Sequence, residues 1–167
     1  TAISLGSPAA LRYPRGNGCG VALDQTPAPI PVGRGEVLRV GAGCAILALG
    51  TMVDPALEAA GLLETTGDIS LTVVNARFVK PLDEALILDL ARKHRRLITI
   101  EENALLGGFG TAVLELLEQH GLSGVKVLRL GYPDRYIPQG EQHELRAMLG
   151  LDTAGIAASI RSFVSQI

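Results

Sequence analysis

This 167-residue sequence predicts a three-layer α/β/α sandwich around a five-stranded mixed sheet, with four strands parallel and one antiparallel at an edge. Three observations carry that expectation. From residue 35 onward, short β-branched runs alternate with stretches of helical apolar spacing, the pattern of parallel strands joined by crossover helices. The chain is 47% hydrophobic with three Phe, three Tyr and no Trp, so its core must be aliphatic. Twenty glycines and nine prolines in so apolar a chain read as tight connections between regular elements, not as disorder. The length suits one domain, which at this size buries roughly 70% of its unfolded surface.

Residues 1–35 stand apart from the rest. Ala9–Tyr13 has the makings of one short strand, ended by Pro14-Arg15-Gly16-Asn17-Gly18, and Thr26–Gly35 is rich in Pro and Gly. A lone strand cannot fold by itself. Residues 1–18 are therefore expected to be the tail of a preceding domain, 19–35 an interdomain linker, and 36–167 the folded unit.

Within that unit, Glu36–Val40 and Cys44–Leu49 flank Gly41-Ala42-Gly43, which predicts a hairpin and an antiparallel edge strand. Thr51–Leu63 has helical spacing at Met52, Leu57, Ala60 and Leu63, with Pro55 tolerated in the first turn. Ser70–Asn75 reads as a strand. Leu82–His94 is an amphipathic helix with Leu82, Ala85, Leu86, Leu88, Leu90 and Ala91 expected inward. Its basic last turn suits the helix dipole. Leu97–Ile100 is a strand, Phe109–His120 a helix closed by Gly121, and Val125–Leu130 the last strand. Glu141–Leu149 and Thr153–Val164 close the chain as helices, the second with Asp152 as N-cap.

Charge and cysteine content narrow the function. Fifteen basic and 17 acidic residues give a net charge of −2 and are mixed along the chain, without the basic runs of a nucleic-acid surface. No apolar run approaches the ~18 residues of a membrane span. Cys19 and Cys44 have neither CxxC nor metal-ligand spacing, and reduced thiols fit better than a disulfide. Thr1 opens the chain with neither signal-peptide nor transit-peptide features, so a piece of a longer protein is expected.

Parallel α/β sheets bind ligands at the carboxyl ends of their strands. Here those ends carry Gly50-Thr51, Ala76-Arg77-Phe78, Glu101-Glu102-Asn103 and the stretch from Gly131 to Arg135. Arg77 is the most informative of these. A buried run leads straight to a planar, permanently charged fork, the side chain best suited to a phosphate or carboxylate. Strand ends are also where polar residues become tolerable, and pattern alone leaves both readings open. The same holds for Arg12 and Arg15 around Tyr13-Pro14.

The remaining motifs read more plainly. Glu101 and Glu102 are adjacent on a strand and point to opposite faces, so adjacency does not make them a catalytic pair. One is expected to face an interface while the other caps or pairs locally. Gly107-Gly108-Phe109-Gly110 lacks the lysine and spacing of a phosphate loop and reads as a tight turn before a helix. His94, His120 and His143 are widely separated, and no Ser–His–Asp order is present. No catalytic, cofactor-binding or metal-ligating residue is assigned.

Several segments taken together are far more specific than any one alone. They are Leu11-Arg12-Tyr13-Pro14-Arg15-Gly16-Asn17-Gly18, then Val74-Asn75-Ala76-Arg77-Phe78-Val79-Lys80-Pro81-Leu82-Asp83, then Thr99-Ile100-Glu101-Glu102-Asn103 with Gly107-Gly108-Phe109-Gly110. With Leu130-Gly131-Tyr132-Pro133-Asp134-Arg135 downstream, they resemble the C-terminal part of the 1-deoxy-D-xylulose-5-phosphate synthase family, from about Ala9 to the end. These are thiamine-diphosphate-dependent transferases of the transketolase class.

The resemblance implies an enzyme that condenses pyruvate with glyceraldehyde 3-phosphate, releasing CO2, for isoprenoid, thiamine and pyridoxal precursors. It implies that residues 1–18 end a pyrimidine-binding domain and that 36–167 form a transketolase-like C-terminal domain. By motif, Arg77 and Arg12 match the two arginines that bind the phosphate of glyceraldehyde 3-phosphate. Thiamine diphosphate and Mg²⁺ belong to the intact enzyme, and the Gly-Asp-Gly…Asn metal motif is missing here. The fragment is thus expected to hold neither group and to be inactive alone. Its implied partners are the enzyme's other domains and, when intact, a second copy. A bacterial cytoplasm or a plastid stroma is the implied location. The alternatives are the C-terminal domain of a transketolase or of a 2-oxo acid dehydrogenase β subunit, or a non-catalytic oligomerisation module.

Overall fold

The computed structural model describes residues 1–11, 13, 20, 22, 25–67 and 69–165, in two units, Thr1–Val32 and Gly33–Ile167. In the first unit, Ile3–Leu5 forms a single 3-10 turn, and the Ile30 N–H donates to Thr1 Oγ1 at 2.7 Å. Arg12, within the expected strand Ala9–Tyr13, lies outside the described residues, as do Arg15 and Cys19. The described neighbours of Arg12 take no regular structure.

The second unit runs β1 (Glu36–Arg39), β2 (Ala45–Ala48), α1 (Val53–Thr65), β3 (Thr72–Asn75), α2 (Glu84–His94), β4 (Arg96–Ala104), α3 (Phe109–Gln119), β5 (Lys126–Tyr132), α4 (Gln142–Leu149) and α5 (Thr153–Ser165). The sheet order is β1-β3-β2-β4-β5, with β1 antiparallel to β3 and every other pairing parallel. This is the five-stranded mixed sheet that the alternating pattern predicts.

Strand pleating builds the three layers. Along the central strand β2, Ile46 and Ala48 face one way, into a core shared with α1 and α5 through residues such as Leu63 and Ile160. Ala45 and Leu47 face the other way, into a core shared with α2 and α3. Both faces of β2 are therefore buried, and its sequence is continuously apolar instead of alternating.

Two expectations need correction. Gly41-Ala42-Gly43 does not turn a hairpin, because β3 lies between β1 and β2. The glycines instead let the chain cross the start of β3 at close range. The Gly43 N–H donates to Ser70 O at 2.8 Å, and the Gly41 N–H donates to Thr72 Oγ1 at 3.0 Å. A Cβ on Gly41 would sit 2.5 Å from the Leu71 backbone. Gly41→Ala should accordingly cost about 1–3 kcal/mol of stability, measured by urea unfolding.

The second correction concerns α2. Ala85 is exposed, whereas Ile87 is buried beside Leu88, Leu90 and Ala91. Two residues apart on a helix lie about 200° around the axis. The buried face is centred on Ile87, Ala91 and His94, with Leu88 and Leu90 at its flanks, so Ala85 falls on the opposite side of the helix.

The helix ends follow their sequence signals. Asp83 caps α2 by accepting from the Leu86 N–H at 3.2 Å, and Asp152 caps α5 by accepting from the Gly155 N–H at 3.0 Å. Residues 142–165 are apolar enough to resemble a membrane span. However, Gly150 (φ +68°) ends α4 after 8 residues and α5 runs for 13, both below the ~20 that a bilayer needs.

Candidate functional site

The register of the sheet sets which residues share its carboxyl edge. Asn75, Ala48 and Ile100 lie level across β3, β2 and β4. Residues just beyond them emerge together: Arg77 after β3, Thr51 after β2, and Glu101 and Glu102 on β4. An antiparallel strand runs the other way, so the first residue of β1, Glu36, opposite Asn75, lies at this edge as well.

Arg77 sits at the centre of a tight three-residue turn closed by the Phe78 N–H donating to Ala76 O at 2.6 Å. Its φ of +58° is in the left-handed region, a strained setting for a side-chain-bearing residue. The Asn75 side chain steadies the turn, its Oδ1 accepting from the Arg77 N–H at 3.1 Å. Arg95, the other described non-glycine residue with positive φ, is explained by its place as the C-cap of α2. Arg77 caps nothing. Strain of this kind costs on the order of 1–3 kcal/mol and collects at sites of function.

The Arg77 side chain is 26% exposed, and its guanidinium pairs with the carboxylate of Glu36, whose side chain is 47% exposed. The chain leading into Glu36 is fixed by buried Asp83. Its Oδ2 accepts from the Gly35 N–H at 3.0 Å, and its Oδ1 lies 3.4 Å from Arg34 Nη1. The arrangement is a partly exposed, ion-paired cation just past the end of β3, at the edge where such sheets take ligands.

Glu101 and Glu102 face opposite ways, as strand pleating requires. Glu101 is fully buried and accepts the first N–H groups of α3, from Phe109 at 2.8 Å and Gly110 at 2.9 Å. Gly107-Gly108-Phe109-Gly110 is the close-approach turn that the sequence indicates. A Cβ on Gly108 would lie 2.3 Å from Ala104 O and 2.5 Å from the Glu101 carboxylate.

On the other face, Glu102 gathers four donors. Thr51 Oγ1 lies at 2.5 Å from one carboxylate oxygen, with Gln142 Nε2 at 3.0 Å, Arg146 Nε at 3.0 Å and the Tyr132 hydroxyl at 3.3 Å from the other. This network ties β4 to β5, to α4 and to the Gly50–Met52 turn. Burial pushes the Glu102 carboxyl up, but the bonds from Thr51 and Arg146, the Arg146 charge and Gln142 outweigh it and hold it below the ordinary range. Tyr132 moves up through burial and the neighbouring carboxylate.

A carboxylate held low stabilises the fold above its unfolded value of 4.5, and that stabilisation fades as pH falls through the lower folded value. Glu102→Gln should therefore destabilise the chain by about 1–3 kcal/mol at pH 7. Below pH ~4 the loss should shrink as the wild-type carboxylate protonates. Urea unfolding at pH 7 and pH 3.5 measures both.

The three histidines are not brought together. His94, the last residue of α2, is buried with its ring nitrogens 3.3 Å from Thr72 Oγ1 and Gly43 O, bracing the crossing of the 41–43 segment. His120 and His143 are exposed. Cys44 is a free, buried thiol whose burial, stronger than the opposing pull of Arg96, holds it protonated. Sequence reasoning missed Glu36 and the Glu102 donors, because both depend on strand order and on where α4 returns. The antiparallel direction of β1 was the available signal for Glu36.

Residues 33–156 match the family described as transketolase, C-terminal domain. The chain belongs to that family. This transketolase C-terminal domain is 65% identical over 164 residues, 98% of the chain, to 1-deoxy-D-xylulose-5-phosphate synthase 1 of Geobacter metallireducens, covering 26% of that protein. It is 50% identical over 99% of its length to 1-deoxy-D-xylulose-5-phosphate synthase of Syntrophus aciditrophicus, covering 25% of it. The chain thus spans about a quarter of the curated relatives it matches. Among solved structures, a split-gene transketolase described as an inactive β4 tetramer superposes with a TM-score of 0.75 at 33% identity, over 83% of this chain and 44% of that one. A transketolase mutant from Pichia stipitis, at TM-score 0.55 and 20% identity over 78% of this chain and 18% of that one, shares the fold.

Synthases of this kind depend on thiamine diphosphate, and the described residues do not fit that group. The Gly-rich helix start that would suit a diphosphate is already filled by the Glu101 carboxylate. No group of His, Cys, Asp and Glu among the described residues is arranged to hold a metal ion.

Proposed function

We propose that this chain is the C-terminal part of a 1-deoxy-D-xylulose-5-phosphate synthase, in which Arg77 helps to bind the phosphate of glyceraldehyde 3-phosphate. The observation that carries the reading is Arg77 itself. A cation is kept in a strained turn at the ligand-binding edge of a sheet, within a sequence 65% identical to such a synthase. Arg12 is the partner cation in this reading, on the strength of its motif. A cation bound to the phosphate would help to orient the aldehyde of the substrate towards the reacting carbon of pyruvate.

The complete enzyme joins pyruvate and glyceraldehyde 3-phosphate into 1-deoxy-D-xylulose 5-phosphate and releases CO2. Thiamine diphosphate and Mg²⁺ are held by its other domains, and it works as a homodimer. Relatives at 50–65% identity are bacterial, which favours a bacterial cytoplasm over a plastid stroma. A transketolase reading is weaker, since identity to the split-gene transketolase is 33%. Product analysis tests the proposal. The complete enzyme should form labelled 1-deoxyxylulose 5-phosphate from [2-¹³C]pyruvate and glyceraldehyde 3-phosphate, and this chain alone should form none. Accumulation of a transketolase product instead would reverse the assignment.

A further inference from the structure

We infer that residues 133–149 form a strap over the β4–β5 end of the carboxyl edge, one that opens as a unit and has Glu102 as its catch. Not one residue from Pro133 to Leu149 is buried, whereas Leu151, just beyond, is 1% exposed. β5 stops at Tyr132, and residues 133–141 add no strand or helix. The strap is thus anchored at its two ends and lightly held between them. Along α4 only Leu145, Arg146 and Leu149 are partly covered, and Met148 is 54% exposed. Eight residues are too few for a helix to persist unaided in water, so α4 depends on what it rests against.

Apart from Leu149, which meets the core shared by α1 and α5, that support is Glu102. Gln142 Nε2 and Arg146 Nε, both on α4, donate to its Oε1 at 3.0 Å. Its other two donors, Thr51 and Tyr132, belong to the body of the domain. When the strap lifts, the Glu102 carboxylate keeps these two and gains water, so no buried charge is left unpaired. Closure also carries a cost, since Arg146 Nη2 is buried without an acceptor among the described residues. The closed state is therefore held by a small margin, as a segment that moves must be.

The strap is cohesive as well. A Cβ on Gly140 would lie 3.2 Å from Leu145 Cδ2, so the loop folds back on α4, and the Leu145 N–H donates to Glu141 O at 3.0 Å. At the far end, Gly150 (φ +68°) turns the chain and the Leu151 N–H donates to Arg146 O at 2.8 Å. Lifting the strap uncovers Thr51, Glu102 and Tyr132 at the edge where sheets of this class take ligands.

The test is amide hydrogen exchange in the complete synthase at low urea, comparing peptides from α4 with peptides from α1 and α3. Amides of α4 should exchange at least ~100-fold faster than those of α1 and α3, at a rate nearly independent of urea, because opening exposes little new surface. Arg146→Met keeps the length of the side chain and removes its charge. It should speed α4 exchange by a further ~10-fold, the scale of one charge-assisted bond. If α4 is protected as well as α1 and α3, it opens only with the whole domain and there is no separate strap. If α4 exchanges fast but Arg146→Met leaves its rate unchanged, Glu102 is not the catch.

Discussion

Glu101→Ala is expected to lower the unfolding free energy by about 2–4 kcal/mol, among the largest losses available to a single side chain here. The residue is fully buried, and its carboxylate satisfies two N–H groups at the start of α3. Hydrogen bonds to an ionised acceptor contribute about 1.5–3 kcal/mol, and a buried donor left without a partner costs about 1–3 kcal/mol. The turn is shaped around this carboxylate, since a Cβ on Gly108 would lie 2.5 Å from one of its oxygens. Glu101→Gln keeps one accepting oxygen but turns an amide N–H₂ towards a donor, so it should recover no more than about half of the loss. Urea unfolding of the two variants checks this. A loss below ~0.5 kcal/mol for Ala would mean that α3 finds its cap elsewhere.

Arg77→Ala should raise KM for glyceraldehyde 3-phosphate in the complete synthase by roughly 10–100-fold, while KM for pyruvate changes little. One charge-assisted phosphate contact of about 1.5–3 kcal/mol corresponds to that range. Stability should move the other way or not at all. Arg77 holds φ at +58°, which glycine adopts without strain. Arg77→Gly should therefore stay within about 1 kcal/mol of wild type, relief of the turn offsetting loss of a partly exposed ion pair. A variant that keeps its fold and loses one substrate separates recognition from folding. Equal losses for both substrates would show that Arg77 serves the structure.

Most of the fold was legible because periodicity reports burial. The apolar run of β2, the helical spacing of α1 and α3, and the Asp152 cap all appear at their expected places. Strand order was less legible. Gly41-Ala42-Gly43 carries the same residues whether it turns a hairpin or slips under β3, and only the partner strand distinguishes the two. The site divides in the same way. Arg77 announced itself by local context, a buried strand running into a guanidinium. Glu36, Tyr132 and Arg146 did not, because their partners lie 41, 30 and 44 residues away in the chain. Glu101 and Glu102 stood between these cases. Pleating separated their faces in advance, and the fold then assigned one to the α3 cap and the other to the α4 network.

The central claim is that Arg77 reads a phosphate, and the sharpest measurement is a ratio. For the complete synthase, kcat/KM with glyceraldehyde 3-phosphate divided by kcat/KM with glyceraldehyde should fall roughly 10–100-fold on Arg77→Gln, through loss on the phosphorylated substrate alone. A ratio that stays at its wild-type value, with both substrates impaired alike, would contradict the account.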